Sequence, residues 1–142
     1  MVRRGGRGLL AAALLVRAAS ASAQAPPDAD AEAAGRIVMQ QLEAFRRDDY
    51  DAAFGFASAE IHATFDRNRF ETMVRGGYPE IARSVFAVID GSHRGPDGRL
   101  YVLMRVRGAN GQGVEAVYEM VLEHGQWRIN GVVTRPRSDE KV

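Results

Sequence analysis

Apolar residues in the first part of the chain recur at the spacing of a helix with one buried face. Between residues 30 and 47 the apolar positions are Ala34, Ile37, Val38, Leu42 and Phe45. Residues three, four and seven positions apart lie on the same side of a helix. The pattern therefore predicts a helix that covers a hydrophobic core.

Two further helices are predicted after the first. A short one fits the apolar residues between 50 and 57, with Asp48 and Asp49 capping its start. A longer one begins near Asp66, a suitable N-cap, and ends at Gly76 and Gly77, since Pro79 prevents the helix from resuming. Residues 58–65 between these helices are predicted as an irregular or short extended link.

From residue 84 onward the apolar period changes from helical spacing to two, which is typical of half-buried strands. Four strands are predicted at residues 84–91, 99–107, 114–124 and 127–134. The connecting turns are Pro96-Asp97-Gly98, Asn110-Gly111 and Gly125-Gln126. A two-residue Gly-Gln turn would set His124 opposite Trp127. At Asn110-Gly111 a two-residue loop would put apolar and charged residues on the same face of the sheet. A three- or five-residue loop is therefore predicted there.

The two faces of the predicted sheet differ in character. One is apolar and should pack against the helices: Phe86, Val88, Leu100, Val102, Met104, Val106, Val114, Ala116, Tyr118, Met120, Leu122, Trp127, Ile129 and Val133. The other is mostly charged, with Val117, Val121 and Val132 among the charges. Two interpretations of the charged face remain open, namely a solvated surface or a homodimer interface with these valines at its centre. The fold class is α+β, with three helices packed on a curved four-stranded antiparallel meander.

The first 23 residues have the organisation of an export signal. Arg3, Arg4 and Arg7 precede an apolar run at residues 8–16, and residues 21–23 (ASA) form a small-x-small cleavage site. The apolar run is about half of the roughly 20 residues that a membrane-spanning helix needs. We therefore predict a signal peptide over residues 1–23, a periplasmic or secreted mature protein, and no stable membrane anchor after cleavage.

The mature chain is predicted to hold one domain. Residues 24–30 read as a disordered lead-in, residues 31–136 as a single α+β domain, and residues 137–142 as a C-terminal tail. The Sec and twin-arginine export routes both remain open, since Arg3 and Arg4 form only part of the twin-arginine motif.

Charge and cysteine content exclude several classes of function. Four of the 19 basic residues lie in the predicted signal, which leaves 15 against 18 acidic residues, a net charge of −3. A mildly acidic domain is a poor partner for nucleic acid. The chain has no cysteine, so disulfides, thiolate catalysis and cysteine-based metal sites are excluded.

Four segments of the sequence resemble a bacterial family known as domain of unknown function 4864. These segments are residues 40–49 (QQLEAFRRDD), 53–58 (AFGFAS), 70–79 (FETMVRGGYP) and 127–131 (WRING). The resemblance covers about residues 33 to 136 and implies the nuclear transport factor 2-like fold, a cone of sheet wrapped around a long helix. It implies no established activity, and a fold alone does not supply one.

Few residues in the chain suggest chemistry. No two of its three histidines, His62, His93 and His124, have metal-site spacing, so no metal and no cofactor are predicted. Enzymes of the fold that the resemblance implies, such as ketosteroid isomerase and scytalone dehydratase, use one or two titratable groups in an apolar cone. His62 and Tyr78 are the candidates for such a role, although a loop histidine and a rigid turn are the simpler interpretations.

The leading hypothesis is a non-catalytic exported domain that binds a small apolar ligand in the cone or assembles through its sheet. The candidate ligand-binding residues are Tyr50, Met104, Tyr118 and Trp127. The alternative is an isomerase- or dehydratase-type enzyme that uses His62 and a tyrosine. No acidic residue falls on the apolar sheet face, which favours binding or assembly over acid–base catalysis. A third possibility is a purely structural partner, whose cone would be filled by side chains.

Overall fold

A computed structural model describes residues 27–137 of the chain. Helices come first, followed by an antiparallel sheet. The helices are α1 (Pro27–Arg46), α2 (Tyr50–Gly55), α3 (Ala59–Thr64), α4 (Arg67–Gly77) and α5 (Pro79–Ala82). The strands are β1 (Ser84–Arg94), β2 (Leu100–Gly108), β3 (Gly113–Glu123) and β4 (Gln126–Pro136), paired in the order β1-β2-β3-β4. The predicted α+β class is confirmed.

The long helix α1 lies across the sheet with its apolar face inward. Ala34, Val38 and Leu42 are completely buried, and Phe45 is almost so. The helix contacts β1, β2 and β4 as well as α2 and α5. The predicted buried face of the first helix is therefore confirmed, because helical spacing alone determines which residues share it.

Two predicted helix caps are also confirmed. Asp49 accepts a hydrogen bond from the backbone N–H of Ala52 at the start of α2, at 3.1 Å. Asp66 accepts one from Arg69 at the start of α4, at 2.8 Å. Each carboxylate satisfies a backbone donor that the first turn of a helix leaves unpaired. Asp48, predicted to share the cap of α2, instead forms ion pairs with Arg75 and Arg83.

The structure contains two helices that the sequence did not predict. Residues 59–64, expected to be an irregular or extended link, form α3, with Ser58 as its N-cap. Pro79 does not stop helical structure but occupies the first turn of α5, where its missing N–H is not needed. Helix α1 begins at Pro27, within the segment predicted as a disordered lead-in.

The central hairpin β2–β3 follows the predicted alternation. Arg107 pairs with Gly113, which leaves five residues in the loop around Asn110 and Gly111. This confirms the odd loop length. Arg105 stands opposite Glu115, although the carboxylate of Glu115 bonds the guanidinium of Arg135 at 2.7 Å.

The prediction for the faces of β1 was wrong. Phe86 and Val88 were expected in the core, but they pair with Arg107 and Arg105 on the charged face, and Phe86 is half exposed. The cause is an extra residue, Val85, which lies between two pairs of the ladder and reverses the alternation until a second extra residue, Asp90, restores it.

The turn between β3 and β4 also differs from the prediction. Glu123 pairs with Gln126, so the two turn residues are His124 and Gly125 rather than Gly125 and Gln126. Both have positive φ, at 49° and 77°, which is typical of a type I′ turn. Positive φ is uncommon for residues other than glycine, although histidine adopts it more often than most of them.

A further bulge lies at Asn130 in β4. Met120 pairs with Ile129 and Glu119 with Gly131, so Asn130 has no partner of its own. Beyond it, Val132 faces inward opposite Tyr118 and packs against the core. Val133 faces outward and is 71% exposed. The predicted positions of these two valines are therefore exchanged.

Candidate functional site

A cavity of about 250 Å³ lies between the sheet and the helices. Helix α1, the α2–α3 segment, α4 and α5 form its walls, and β3 and β4 form its floor. The lining residues are Gln41, Phe45, Ala57, Ile61, Phe65, Phe70, Met73, Val74, Tyr78, Ile81, Tyr118, Ile129, Gly131 and Val132. Their side chains are almost all apolar, as is usual for a small-molecule site.

The bulge at Asn130 shapes the cavity floor. Ile129 and Val132 both face the cavity, although in a regular strand the inward positions would be two residues apart. A bulge also bends its strand and increases the local twist. The bulge therefore brings both of these side chains to the cavity floor.

Helix α3 forms one wall and is held mainly by polar contacts. None of its residues is buried, yet Ile61 and the following Phe65 line the cavity. At its start, Ser58 donates to the side-chain oxygen of Asn130 at 2.6 Å and accepts from the N–H of Ile61 at 3.2 Å. Two consecutive hydrogen bonds through Ser58 thus join the bulge at Asn130 to helix α3.

The carboxylate of Glu123 provides a second attachment for α3. Both of its oxygens lie within hydrogen-bond distance of the Ala59 N–H, at 3.1 and 3.3 Å. A negative charge at a helix start is favourable, because the first backbone N–H groups point toward it.

Three polar side chains line the cavity, and two of them already have partners. Tyr78 donates its hydroxyl to the carbonyl of Val132 at 3.3 Å. Gln41 donates its amide to the carbonyl of Ala53 at 3.1 Å. Tyr118, on β3, is 1% exposed, and its hydroxyl has no hydrogen-bond partner among the described residues.

Burial raises the pKa of the Tyr118 hydroxyl above its ordinary value near 10. The phenol is therefore protonated at neutral pH and can donate a hydrogen bond. Among residues 27–137, no carboxylate, imidazole, lysine or arginine side chain belongs to the cavity lining. The site is electrically neutral.

The structure brings together some of the predicted site residues and separates others. Tyr78 and Tyr118 both line the cavity. Met104 is completely buried in the core, and Trp127, also nearly buried, lies at the start of β4 with the guanidinium of Arg94 5.8 Å from its ring. Neither Met104 nor Trp127 contributes to the lining.

Tyr50 is also buried away from the cavity. Its ring packs against Phe45, with the ring centres 5.3 Å apart, and Arg75 covers it at 4.6 Å. Its hydroxyl has no partner among the described residues. Burial is the largest cause that raises the pKa of Tyr50, while the charge of Arg75 lowers it in part.

His62 lies on the exposed side of α3. Its ring packs against Phe54 in a tilted arrangement, with centres 3.9 Å apart, and its Nε2 lies 2.8 Å from the Phe54 carbonyl oxygen. It does not line the cavity, so the structure does not place the two catalytic candidates, His62 and Tyr78, in one pocket.

Sequence reasoning missed most of the cavity wall. Gln41, Phe65 and Met73 were not among the candidates, although all three line the cavity. A nearly buried glutamine on the apolar face of α1 was the one available signal, since buried polar side chains commonly mark a functional or structural constraint.

The outer face of the sheet carries a shallow groove of about 360 Å³. It is lined by His93, Tyr101, Leu103, Glu115, Val117, Val133 and Arg135. Because the bulge turns Val133 outward, this valine takes the place at the groove that the sequence had assigned to Val132.

Within residues 27–137, no three side chains of histidine, aspartate or glutamate come together as a metal site would require. In the same range, no helix has both the length and the apolar character to cross a membrane.

The sequence matches the family model "Domain of unknown function (DUF4864)" over residues 27–142. A comparison with curated proteins found no match.

Two solved structures resemble the fold. One is an NTF-2-like protein of unknown function from Silicibacter pomeroyi DSS-3, with a TM-score of 0.56 and 18% identity, covering 79% of this chain and 99% of its own. The other is an NTF2-like protein of unknown function from Shewanella baltica OS155, with a TM-score of 0.55 and 10% identity, covering 80% and 98%. At such identities the likeness shows the fold alone, and the predicted nuclear transport factor 2-like architecture is confirmed.

Proposed function

The chain belongs to the family Domain of unknown function (DUF4864), and from that premise we propose that it binds a small apolar ligand between its sheet and its helices without catalysing a reaction on it. The apolar cavity carries this proposal. An engineered apolar cavity of about 150 Å³ binds benzene. A cavity of about 250 Å³ offers room for a somewhat larger molecule, of about ten non-hydrogen atoms by the same scaling.

The lining supports binding over acid–base catalysis. A general base must lie within hydrogen-bond distance of the proton it removes and must have a pKa near the working pH. The titratable groups of the lining are Tyr78 and Tyr118, and burial raises the pKa of Tyr118 further from neutrality. A protonated phenol can orient a ligand by donating a hydrogen bond, but it cannot accept a proton from it.

We place this function outside the cytoplasm. The signal peptide predicted over residues 1–23 lies outside the described residues, so this part of the proposal rests on the sequence pattern. Cell fractionation of the full chain should find the mature protein in the periplasm or the medium. A full-length protein in the cytoplasm would contradict the assignment.

Native mass spectrometry of residues 24–142, purified gently from the periplasm of an expressing cell, tests ligand binding. An added mass of about 100 to 200 daltons, lost on denaturation, is expected from a filled cavity of this volume. A clean protein mass would exclude tight binding of any ligand present in that host.

A pair of variants links the added mass to the cavity. Met73→Trp replaces a linear side chain of the lining with a larger indole ring, and it should abolish the added mass. Met39→Trp makes the same change at another half-buried methionine, which lies on α1 outside the lining. The control should keep the added mass. Equal behaviour of the two variants would mean that the molecule binds elsewhere.

Assembly through the outer sheet face is a second candidate function, favoured by the groove around Val117 and Val133. Val133 is 71% exposed, and an apolar side chain in a mostly apolar groove suits a contact with a second copy. Analytical ultracentrifugation should then show a dimer that Val133→Asp dissociates. A monomer at all concentrations would exclude this candidate.

A further inference from the structure

We infer that the ligand is a neutral molecule with an apolar body and one group that both donates and accepts hydrogen bonds, such as a hydroxyl or an amide, and that this group bonds the side-chain amide of Gln41. This inference rests on the proposed function and defines the chemical class that the cavity accepts. It follows from the part of the Gln41 amide that the protein leaves unpaired and from the absence of charge in the lining.

Gln41 is a polar residue on the buried face of α1. It lies three residues after Val38 and four before Phe45, so it shares the side of the helix that these residues turn toward the core. Its exposed fraction is only 4%, and it contributes to the cavity lining. A glutamine is seldom buried so deeply, because the amide loses its hydration and must find other partners.

The bond between Gln41 and Ala53 satisfies only part of this amide. Nε2 donates to the Ala53 carbonyl at 3.1 Å. Because a carbonyl oxygen only accepts, this contact determines which atom of the amide is the nitrogen. The second N–H and the oxygen Oε1 have no partner among residues 27–137. The bond to Ala53 also holds the amide in one orientation, so the remaining donor and acceptor are preorganised for a ligand.

The oxygen of Gln41 is open to the cavity, whereas the Tyr118 hydroxyl is not. Among the described residues, the side-chain polar atoms that are fully enclosed without a partner are the hydroxyl oxygens of Tyr50 and Tyr118. Oε1 of Gln41 is not enclosed in this way, and the space beside this nearly buried residue is the cavity that it lines. A ligand there can therefore reach the Gln41 amide, but it meets Tyr118 only at the ring.

Tyr78 offers a ligand less than Gln41 does. Its hydroxyl proton is engaged by the Val132 carbonyl at 3.3 Å, which leaves the oxygen as an acceptor only. Among the described lining residues, Gln41 alone can thus both give and receive a hydrogen bond without losing an existing one. A purely apolar molecule that displaced water from this amide would leave both groups unpaired, which is unfavourable.

The cavity selects against charged molecules. Among residues 27–137 the lining contains no side chain that is charged at neutral pH. A carboxylate or an ammonium group would lose its hydration on entry and gain no opposite charge in return. Fatty acids and amines are thus disfavoured relative to neutral alcohols, phenols and amides of the same size.

The test uses two probes of nearly the same shape, p-cresol and p-xylene, which differ by a hydroxyl in place of a methyl group. Isothermal titration calorimetry would measure both dissociation constants for the mature protein and for Gln41→Met, which keeps an unbranched side chain but has no amide. Loss of the hydrogen bond should weaken p-cresol binding by about tenfold. Binding of p-xylene should be unchanged or tighter, because no amide is then left unpaired.

Gln40→Met is the matched control. Gln40 is the neighbouring glutamine of α1, but it is exposed and lies outside the lining. The same substitution there should leave the dissociation constants of both probes unchanged.

A third probe, p-toluate, tests the selection against charge. This carboxylate has nearly the shape of p-cresol and should bind the mature protein more weakly than p-cresol at neutral pH. Tighter binding of p-toluate would contradict a neutral ligand.

The outcomes separate the inference from the function beneath it. If neither p-cresol nor p-xylene binds the mature protein, the apolar cavity is not a binding site and the proposed function fails with the inference. If p-xylene alone binds, or if Gln41→Met weakens both probes equally or leaves p-cresol binding unchanged, the inference alone is wrong.

A structure of the mature protein with p-cresol gives a second test, which does not depend on any variant folding. The ligand oxygen should lie within about 3.2 Å of Oε1 or Nε2 of Gln41. An oxygen found instead at the mouth of the cavity, away from this amide, would overturn the inference.

Discussion

Tyr118 combines three properties that seldom occur together in one side chain. It lies at the middle of β3, it is buried, and its hydroxyl is unpaired among the described residues. A phenylalanine would fill the same space without a polar group to satisfy. The hydroxyl is therefore a feature that packing alone does not require.

The raised pKa of Tyr118 predicts a loss of stability in alkali. Above about pH 10 the unfolded chain releases this proton while the folded chain keeps it, so the free energy of unfolding falls as pH rises. One such group contributes a slope of up to about 1.4 kcal/mol per pH unit. Urea unfolding of Tyr118→Phe between about pH 9 and 12 should show a shallower decline than the parent protein. Identical slopes would contradict the burial of an ionisable phenol.

In strand β4, one extra residue changes the face of the sheet on which every later residue lies. Before Asn130 the predicted inward residues are correct, and after it they are exchanged. Val132 lines the cavity, whereas Val133 is mostly exposed.

A pair of substitutions tests this reversal of inward and outward positions after Asn130. Val132→Asp puts a carboxylate in an apolar lining and should destabilise the fold by about 3 kcal/mol or more. Val133→Asp changes an exposed position and should alter the monomer's stability by about 0.5 kcal/mol or less. Thermal or urea unfolding would measure both. The reverse order would mean that β4 runs without the bulge.

Helix α3 should depend strongly on Ser58. Ser58→Ala removes the N-cap and the bond to Asn130, and it should cost about 1–2 kcal/mol. Amide hydrogen exchange should accelerate across residues 59–64. Thr64→Ala is the control, since that exposed hydroxyl bonds only the Glu60 carbonyl in the same helix. Equal effects of the two substitutions would show that Ser58 has no special part in holding the helix.

The face on which each strand residue lies was predictable where the pairing of the strands is regular. In β2 and β3, Val102, Met104 and Ala116 alternate without interruption, so period two assigned their faces correctly. In β1 and β4 the bulges at Val85 and Asn130 were invisible, because nothing in the local pattern distinguishes an extra residue from the next alternating one.

At the scale of the whole molecule, the cavity is formed by elements far apart in the sequence. Phe45, Phe65 and Met73 reach it from different helices, and local periodicity does not show how those helices pack together. Tyr118 was identified as a candidate because the alternation along β3 alone predicts that its side chain faces the helices. Tyr50 and Trp127 are also large aromatic residues with one polar group, but they fill other parts of the core.

A cavity in the folded state predicts sensitivity to pressure. Unfolding eliminates internal voids, so its volume change is negative and scales with the void volume. Met73→Trp, which fills the cavity, should make this volume change smaller in magnitude, whereas Met39→Trp should not. Pressure unfolding followed by NMR would measure both. An unchanged volume for Met73→Trp would mean that the space closes in solution.

The bulge at Asn130 also makes the length of β4 a property of the binding site. Deleting this residue would keep Ile129 and Val132 facing inward, but it would straighten the strand and remove the partner of Ser58. The cavity would become shallower and its α3 wall would be released without any change to a lining side chain. A one-residue deletion, rather than a substitution, would thus remove the shape of the cavity while leaving its lining residues in place.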